Sequence, residues 1–223
     1  MLAGHYAPAF IAHRLVPRAP LWALLLAAQA VDVGFMLLGL FDVEGARLAD
    51  HEPRLIVTAG VWTHSLPATA IWAVTCGLLA ARLLGSRSAG VAIGAVVASH
   101  WFADLLVHTP DLPLGLTQEP AVGLGLWLHP PWAWALECGL VLASCGWLAL
   151  RLPATARRRA LGLGAALVGL QTLSEFVIPT PPVFGQLAAS ALAIYAATAL
   201  GGWSVDRARG AEPTASPREQ KQP

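Results

Sequence analysis

Residues 90–114 read GVAIGAVVASHWFADLLVHTPDLPL. The apolar part of this stretch is long enough for a helix that crosses a bilayer, which needs about 20 residues. His100, Asp104 and His108 follow one another at four-residue intervals, so they share one stripe of a helix that turns every 3.6 residues. An Asp at the centre of such a helix costs roughly 2.5–3.5 kcal/mol. The pattern therefore indicates a functional polar site, and imidazole plus carboxylate is a ligand set that suits zinc.

The composition is that of a polytopic membrane protein. The 223 residues are 56% hydrophobic and 12% charged, and the mean hydropathy is +0.60, whereas charged residues make up about 25% of a soluble domain. The three cysteines all lie in apolar segments, which gives neither a disulfide framework nor a CxxC metal site. No nucleic-acid motif is present. The lipid bilayer is the expected partner, and an all-α fold is the expected class.

Six apolar stretches are separated by Pro, Gly or charged residues, and each is long enough to span a bilayer. A short N-terminal half-helix over residues 4–16 precedes them and would enter from the cytoplasmic interface. Residues 1–203 are expected to form one helical membrane domain, followed by a disordered cytoplasmic tail over 204–223. The predicted spans are Leu21–Phe41, Ile56–Leu84, Gly90–His108, Pro131–Leu150, Ala160–Ile178 and Val183–Trp203. Small residues within these spans, Gly90 with Gly94 and Gly162 with Ala166, predict close helix contacts.

The basic residues predict the orientation. Of the 14 basic residues, only Arg47 and Arg54 fall on one side of the six predicted spans. Because cytoplasmic loops carry an excess of Lys and Arg, the other side is expected to be the cytoplasm, with both termini there. Acidic loop residues such as Glu44 fall on the outer side.

Three polar residues reach a similar predicted depth on three neighbouring helices. At 1.5 Å per residue, Asp32 lies about 14 Å below the outer end of its span, and His64 and His100 lie about 12 Å below theirs. Asp104 is one turn above His100 and close enough to share an ion. His108 is about 12 Å above His100 along the axis, which suggests a second ion or the entrance. His5, on the half-helix, would reach the same region.

Four segments resemble a family of bacterial membrane-bound metal-dependent hydrolases, the YdjM-like family. The resemblance extends over roughly residues 1–150. It is carried by AGHYAPAFIAHRLVPRAPLWALLLAAQAVDVGF at 3–35, THSL at 63–66, SHWFADLLVHTPDLPLGL at 99–116, and GLGLW at 123–127 followed by the helix of Glu137.

The resemblance implies a metal site and a bacterial inner-membrane location. The ligands it implies are His5, Asp32, His64, His100 and Asp104. Four of these also follow, more distantly, the ligand order of zinc-dependent phospholipase C and P1-type nucleases, which are soluble helical enzymes. Those nucleases use an additional HxxxE pair, whereas here His129 and Glu137 are eight residues apart with two prolines between them.

The resulting hypothesis is a zinc-dependent hydrolase of a phosphoester, such as an amphiphilic lipid or isoprenoid phosphate. Asp104 or Glu137 would orient the attacking water, and His108 would protonate the leaving group or hold a second ion. Two alternatives stay open. The same groups could form a relay in a metal-ion or proton transporter, or a buried polar cluster that locks the helices of a structural membrane subunit.

Overall fold

The computed structural model describes residues 1–49, 52–57 and 60–211. The protein is 73% helical, with eight α-helices among these residues, so the predicted all-α class fits. Two short antiparallel hairpins and two 3-10 turns, Gly4–Tyr6 and Leu126–Leu128, complete the structure. The helices are α1 Ala7–Leu15, α2 Leu21–Ala28, α3 Ala30–Leu40, α4 Leu66–Leu83, α5 Arg87–Val107, α6 Pro130–Ala149, α7 Ala154–Phe176 and α8 Phe184–Ala211. The strands are β1 Ala46–Ala49, β2 Glu52–Val57, β3 Leu112–Pro113 and β4 Ala121–Val122.

The described residues contain four helices that are long and apolar enough to cross a membrane, namely α4, α5, α6 and α8. The pair α2–α3, bent by 53°, would make a fifth span if it counts as one. Helix α7 is not among them, and its first turns carry Arg157, Arg158 and Arg159. The predicted count of six spans is therefore not confirmed, although a multi-pass membrane protein is compatible with these helices.

The N-terminal segment lies inside the bundle. The predicted half-helix appears as the turn Gly4–Tyr6 continued by α1, which packs against α2, α5 and α6. Tyr6 and Phe10 are fully buried. Met1 is buried as well, and the chain runs from Met1 within the bundle outward along α1 toward Arg14. The predicted position of both termini in the cytoplasm stays a prediction.

The first predicted span is broken at Gln29, between α2 and α3. The backbone of Gln29 leaves the helical region, with φ −110° and ψ 10°, and its side-chain Nε2 donates to the carbonyl of Leu2 at 3.2 Å. A helix end leaves its last carbonyls without partners in the same helix. The break therefore places backbone carbonyls of α2 next to the N-terminal segment, at the level of the polar residues.

The second predicted span is not helical at its beginning. The prediction starts the helix at Ile56, yet β2 runs to Val57 and α4 begins at Leu66. The cause is the cap: Ser65 accepts a hydrogen bond from the amide of Ala68 at 3.2 Å, and Pro67 occupies the first turn. His64 thus lies in the turn before α4 rather than within it.

Helix α8 continues beyond the predicted domain end at residue 203, through Ala211. Asp206 explains the extension, because its carboxylate accepts from the amides of Leu21 at 3.0 Å and Trp22 at 3.1 Å and so caps α2. Val205 is buried on the same stretch. The first part of the predicted tail is therefore helical, and residues 212–223 lie outside the described residues.

Glycines allow α4 and α5 to cross closely. A Cβ placed on Gly90 would lie 2.5 Å from the carbonyl oxygen of Gly77 and 2.5 Å from the Cβ of Ala81. The predicted small-residue contact at Gly90 is therefore present. The corresponding prediction for Gly162 is wrong, because nothing lies within 4 Å of the position that a Cβ on Gly162 would occupy.

Gly90→Ala is expected to lower the thermal unfolding midpoint in detergent, because the two backbones must separate, at a cost of about 1–3 kcal/mol. Gly162→Ala is the matched control on an open helix face. There the better helix propensity of alanine should leave stability unchanged or raise it by up to about 1 kcal/mol. Equal effects of the two substitutions would contradict the close crossing.

Candidate metal centre

Four of the predicted ligands meet in one place. His64 Nε2 lies 3.2 Å from Asp32 Oδ1 and 3.9 Å from Asp104 Oδ2. His100 Nε2 lies 3.5 Å from Asp32 Oδ1 and 3.1 Å from Asp104 Oδ2. The two imidazoles and Asp104 are buried, and Asp32 is nearly so, with 15% of its side chain exposed. Helices α3 and α5 and the turn before α4 each contribute to this group.

These spacings fit a tetrahedral ion. Zinc binds imidazole nitrogen and carboxylate oxygen at about 2.0–2.2 Å, so two ligand atoms on one tetrahedral zinc lie about 3.3 Å apart. The four separations, 3.1–3.9 Å, surround that value. The ligand atoms of His64, His100 and Asp104 all lie within 4.8 Å of one another. The ligand atoms of His5, Asp32 and His100 form a second group of the same kind. The spacing of each group is compatible with a bound divalent ion.

The other carboxylate oxygen of Asp104 faces a second set of nitrogens. Asp104 Oδ1 lies 2.7 Å from the Met1 amino nitrogen, 3.0 Å from His5 Nε2 and 3.6 Å from His108 Nε2. The His5 ring also stacks on His100, with ring centroids 3.8 Å apart and an interplanar angle of 6°. The predicted half-helix thus brings His5 to the group.

His108 reaches the group through Asp104, whose Oδ1 lies 3.6 Å from His108 Nε2. Helix α5 ends at Val107, and His108 has extended backbone with ψ 147°, because Pro110 disfavours a longer helix. The loop that follows returns to the helix end: the amide of Gly125 donates to the His108 carbonyl at 2.7 Å. Trp127 packs on the His108 ring, with centroids 4.3 Å apart.

The Nδ1 atom of His100 is hydrogen-bonded to the C-terminal end of α2. His100 Nδ1 lies 2.9 Å from the carbonyl oxygen of Ala28, the last residue of α2. A carbonyl can only accept, so Nδ1 carries the proton and donates it. In the neutral ring, Nε2 is then a lone pair directed at Asp104 Oδ2.

His64 is held by a chain of two hydrogen bonds. Thr63 Oγ1 donates to Glu44 Oε2 at 2.6 Å, so the same hydroxyl oxygen accepts from His64 Nδ1 at 2.9 Å. Glu44 Oε1 accepts from the amides of Trp62 and Thr63 at 2.6 and 3.2 Å. Glu44, predicted to be an outer loop residue, is buried, and no local sequence pattern encodes this carboxylate–hydroxyl–imidazole chain.

His108 is also hydrogen-bonded through its Nδ1 atom. Its Nδ1 lies 2.9 Å from Asp111 Oδ1, and a carboxylate oxygen accepts the Nδ1 proton. Three imidazoles therefore use Nδ1 as a donor to an outer acceptor and direct Nε2 toward Asp32 or Asp104. Each Nε2 therefore needs a proton or a metal ion between it and the carboxylate oxygen. Metal-binding histidines are commonly fixed in this way through the other ring nitrogen.

Glu137 lies beside the N-terminal segment rather than with the imidazoles. Its Oε2 accepts from the amides of Leu2 at 2.8 Å and Gly4 at 3.1 Å, and the residue is fully buried. Its predicted part in orienting a water stays a prediction. His129 is exposed at the start of α6.

Tyr195 of α8 also reaches the centre, and no sequence motif pointed to it. Its hydroxyl donates to Asp32 Oδ2 at 3.3 Å. This bond leaves Asp32 Oδ1 for the two imidazoles. The sequence feature that could have indicated Tyr195 is its position within an apolar helix. A buried tyrosine hydroxyl there usually needs a hydrogen-bond partner.

The chain matches no protein-family model, no curated protein and no solved structure. The resemblance to the YdjM-like family therefore stays a prediction. The functional conclusion rests on the geometry of the centre.

Glu44→Ala is expected to destabilise the protein by about 2–4 kcal/mol, because the amides of Trp62 and Thr63 and the buried Thr63 hydroxyl lose their acceptor. Thermal unfolding in detergent measures the loss. Glu119→Ala is the control, since Glu119 is exposed and such changes stay within about 0.5 kcal/mol. Comparable stability of the two variants would show that Glu44 does not hold the turn before α4.

Proposed function

We propose that Asp32, His64, His100 and Asp104 bind a divalent metal ion, with zinc as the best match. The observation that carries the proposal is the convergence of two Nε2 atoms on two carboxylates at 3.1–3.9 Å. Two imidazoles and two carboxylates suit a borderline ion such as zinc. His5 flanks the same carboxylate and completes the predicted ligand set.

We further propose that this centre hydrolyses a phosphoester, with a lipid phosphate as the substrate class. A divalent ion bound there supplies polarisation of a phosphoryl oxygen and lowers the pKa of water. The side chains of the protein do the rest. Asp104 and Asp32 accept protons or hold donors through their second oxygens. In its protonated form His108, with Nδ1 bonded to Asp111 and Nε2 beside Asp104 Oδ1, is the group suited to give a proton from Nε2 to the leaving oxygen.

The buried core supports a hydrolase over a transporter. Apolar residues close the bundle between the centre and the arginine-rich end, including Phe10, Leu24, Val96 and Leu148, all of which are buried. A relay for protons or metal ions needs polar groups through this layer. Those residues instead separate the centre from the end to which Arg14 and Arg87 belong.

The proposed location is the bacterial inner membrane, with the arginine-rich end in the cytoplasm and the metal centre toward the outer face. A reporter that is active only in the cytoplasm, fused after Leu84, is expected to give signal because Leu84 follows α4 at the arginine-rich end. The same reporter fused after Asp111 should give none. The reverse result would invert the proposed orientation.

Removing the ligands is expected to remove the metal. Purified protein should contain about one zinc or comparable divalent ion per chain by elemental analysis, and the His100→Ala/Asp104→Ala double variant should contain far less. Thr63→Val, which keeps the ligands but breaks the bond to His64 Nδ1, should weaken zinc affinity by about 10–100-fold. Equal metal content in wild type and double variant would remove these residues from the site.

Turnover separates the hydrolase from its rivals. Asp104→Asn should abolish chelator-sensitive hydrolysis of a lipid phosphate in detergent while the protein stays folded. A transporter would instead show zinc or proton flux in sealed vesicles that the same variant abolishes. A structural cluster would lose thermal stability and show neither activity. Flux without hydrolysis would contradict the proposed function.

A further inference from the structure

A cavity of about 390 Å³ lies next to the metal centre. Two of its lining residues also contact members of the centre. Trp127 packs on the His108 ring, and the amino group of Met1 lies 2.7 Å from Asp104 Oδ1. The cavity is partly open, and the C-terminal end of α7 forms its rim. Met1 and Trp127 therefore form a wall that the cavity and the centre share.

The charged side chains among the described residues that line the cavity are two carboxylates, Glu137 and Glu175. The Met1 amino group also lines it, and its charge is paired with Asp104 Oδ1 at 2.7 Å. The other polar side chains are neutral, and they include Gln171 and Ser174. Phe176 and the residues that follow it supply an apolar wall. A second phosphate or another anionic group is disfavoured here, whereas a cation is favoured.

Glu137 adds a specific requirement. The residue is 0% exposed, and only its Oε2 is used by the amides of Leu2 and Gly4. Within the described part of the chain, Oε1 has no hydrogen-bond partner. A buried carboxylate oxygen without a donor is costly. A ligand that brings an N–H group with positive charge would satisfy both the hydrogen bond and the charge.

We propose that this cavity binds the primary ammonium group of an amphiphilic ligand, and that this group belongs to the alcohol part of the phosphoester substrate. The second half of the proposal rests on the proposed hydrolase function. The phosphoester would lie at the metal centre, and its alcohol part would pass Trp127 and Met1 to reach Glu137 and Glu175.

Binding is tested without turnover. Isothermal titration of the purified full chain in detergent compares hexylammonium, hexyltrimethylammonium and hexanol. Hexylammonium should bind at least about tenfold more tightly than the other two, since it alone combines N–H donors with a charge. Glu137→Gln keeps an acceptor for the two amides and should largely remove this preference. Glu175→Gln should reduce it in part, and Glu119→Gln, at an exposed carboxylate outside the cavity, should leave it unchanged.

A second variant keeps the test valid if Glu137→Gln does not fold. Ser174→Trp fills the cavity from α7 without touching the bonds of Glu137 to the N-terminal segment, and it should abolish hexylammonium binding. The proposal is overturned if hexanol or hexyltrimethylammonium binds as tightly as hexylammonium. It is also overturned if Glu137→Gln and Ser174→Trp both bind like wild type.

Turnover of 6-aminohexyl phosphate and hexyl phosphate distinguishes the two proposals. The amino compound should be hydrolysed at least about tenfold more efficiently, because its ammonium group adds a charge-assisted hydrogen bond, and this advantage should disappear in Glu137→Gln. If hexylammonium binds as expected but neither ester is hydrolysed, the hydrolase function fails and the ammonium site stands. If both esters are hydrolysed equally and hexylammonium does not bind, the ammonium site fails and the hydrolase function stands.

Discussion

The buried carboxylate of Asp104 is the interaction that joins separate parts of the chain at the centre. A charge taken out of water must be compensated by partners in good geometry, and here those partners come from separate parts of the chain. His100 and His108 come from α5 and its end, His5 from the N-terminal segment, and His64 from the turn before α4. The central position of the N-terminal segment follows, because its imidazole and amino group must reach α5.

The interruptions of the helices also contribute to the centre. Irregular backbone at membrane depth is tolerated where it lines a protein interior, and each break here supplies something to the centre. The end of α2 supplies the Ala28 carbonyl for His100. The early end of α5 turns His108 back toward Asp104. The late start of α4 leaves His64 in a turn that Glu44 can hold. A bundle of uninterrupted spans would offer none of these groups.

The sequence predicted the meeting of the proposed ligands better than it predicted their surroundings. His100 and Asp104 share a helix stripe, so their meeting follows from helical periodicity alone. Glu44 and Tyr195 could not be found in this way, because their contacts depend on how distant elements pack, and no local spacing encodes that. Apolar runs likewise predicted the spans but not their ends. The Ser65 cap makes α4 begin later than the hydropathy predicts, and the burial of Val205 accompanies the extension of α8 beyond residue 203.

A buried histidine outside the centre, His13, offers a comparison with the imidazoles of the centre. His13, at the arginine-rich end, is also buried beside an aspartate. Its Nδ1 bonds to the Ala19 carbonyl at 2.8 Å, and the Arg209 guanidinium lies 3.4 Å from its Nε2, so donor meets acceptor at both nitrogens. His100 has the same carbonyl bond at Nδ1, yet its Nε2 faces carboxylate oxygens at 3.1–3.5 Å. A structural imidazole is completed by the protein, as His13 is. At His100 the space between Nε2 and the carboxylates must hold either a proton or a metal ion, and the same is true at His64 and His108.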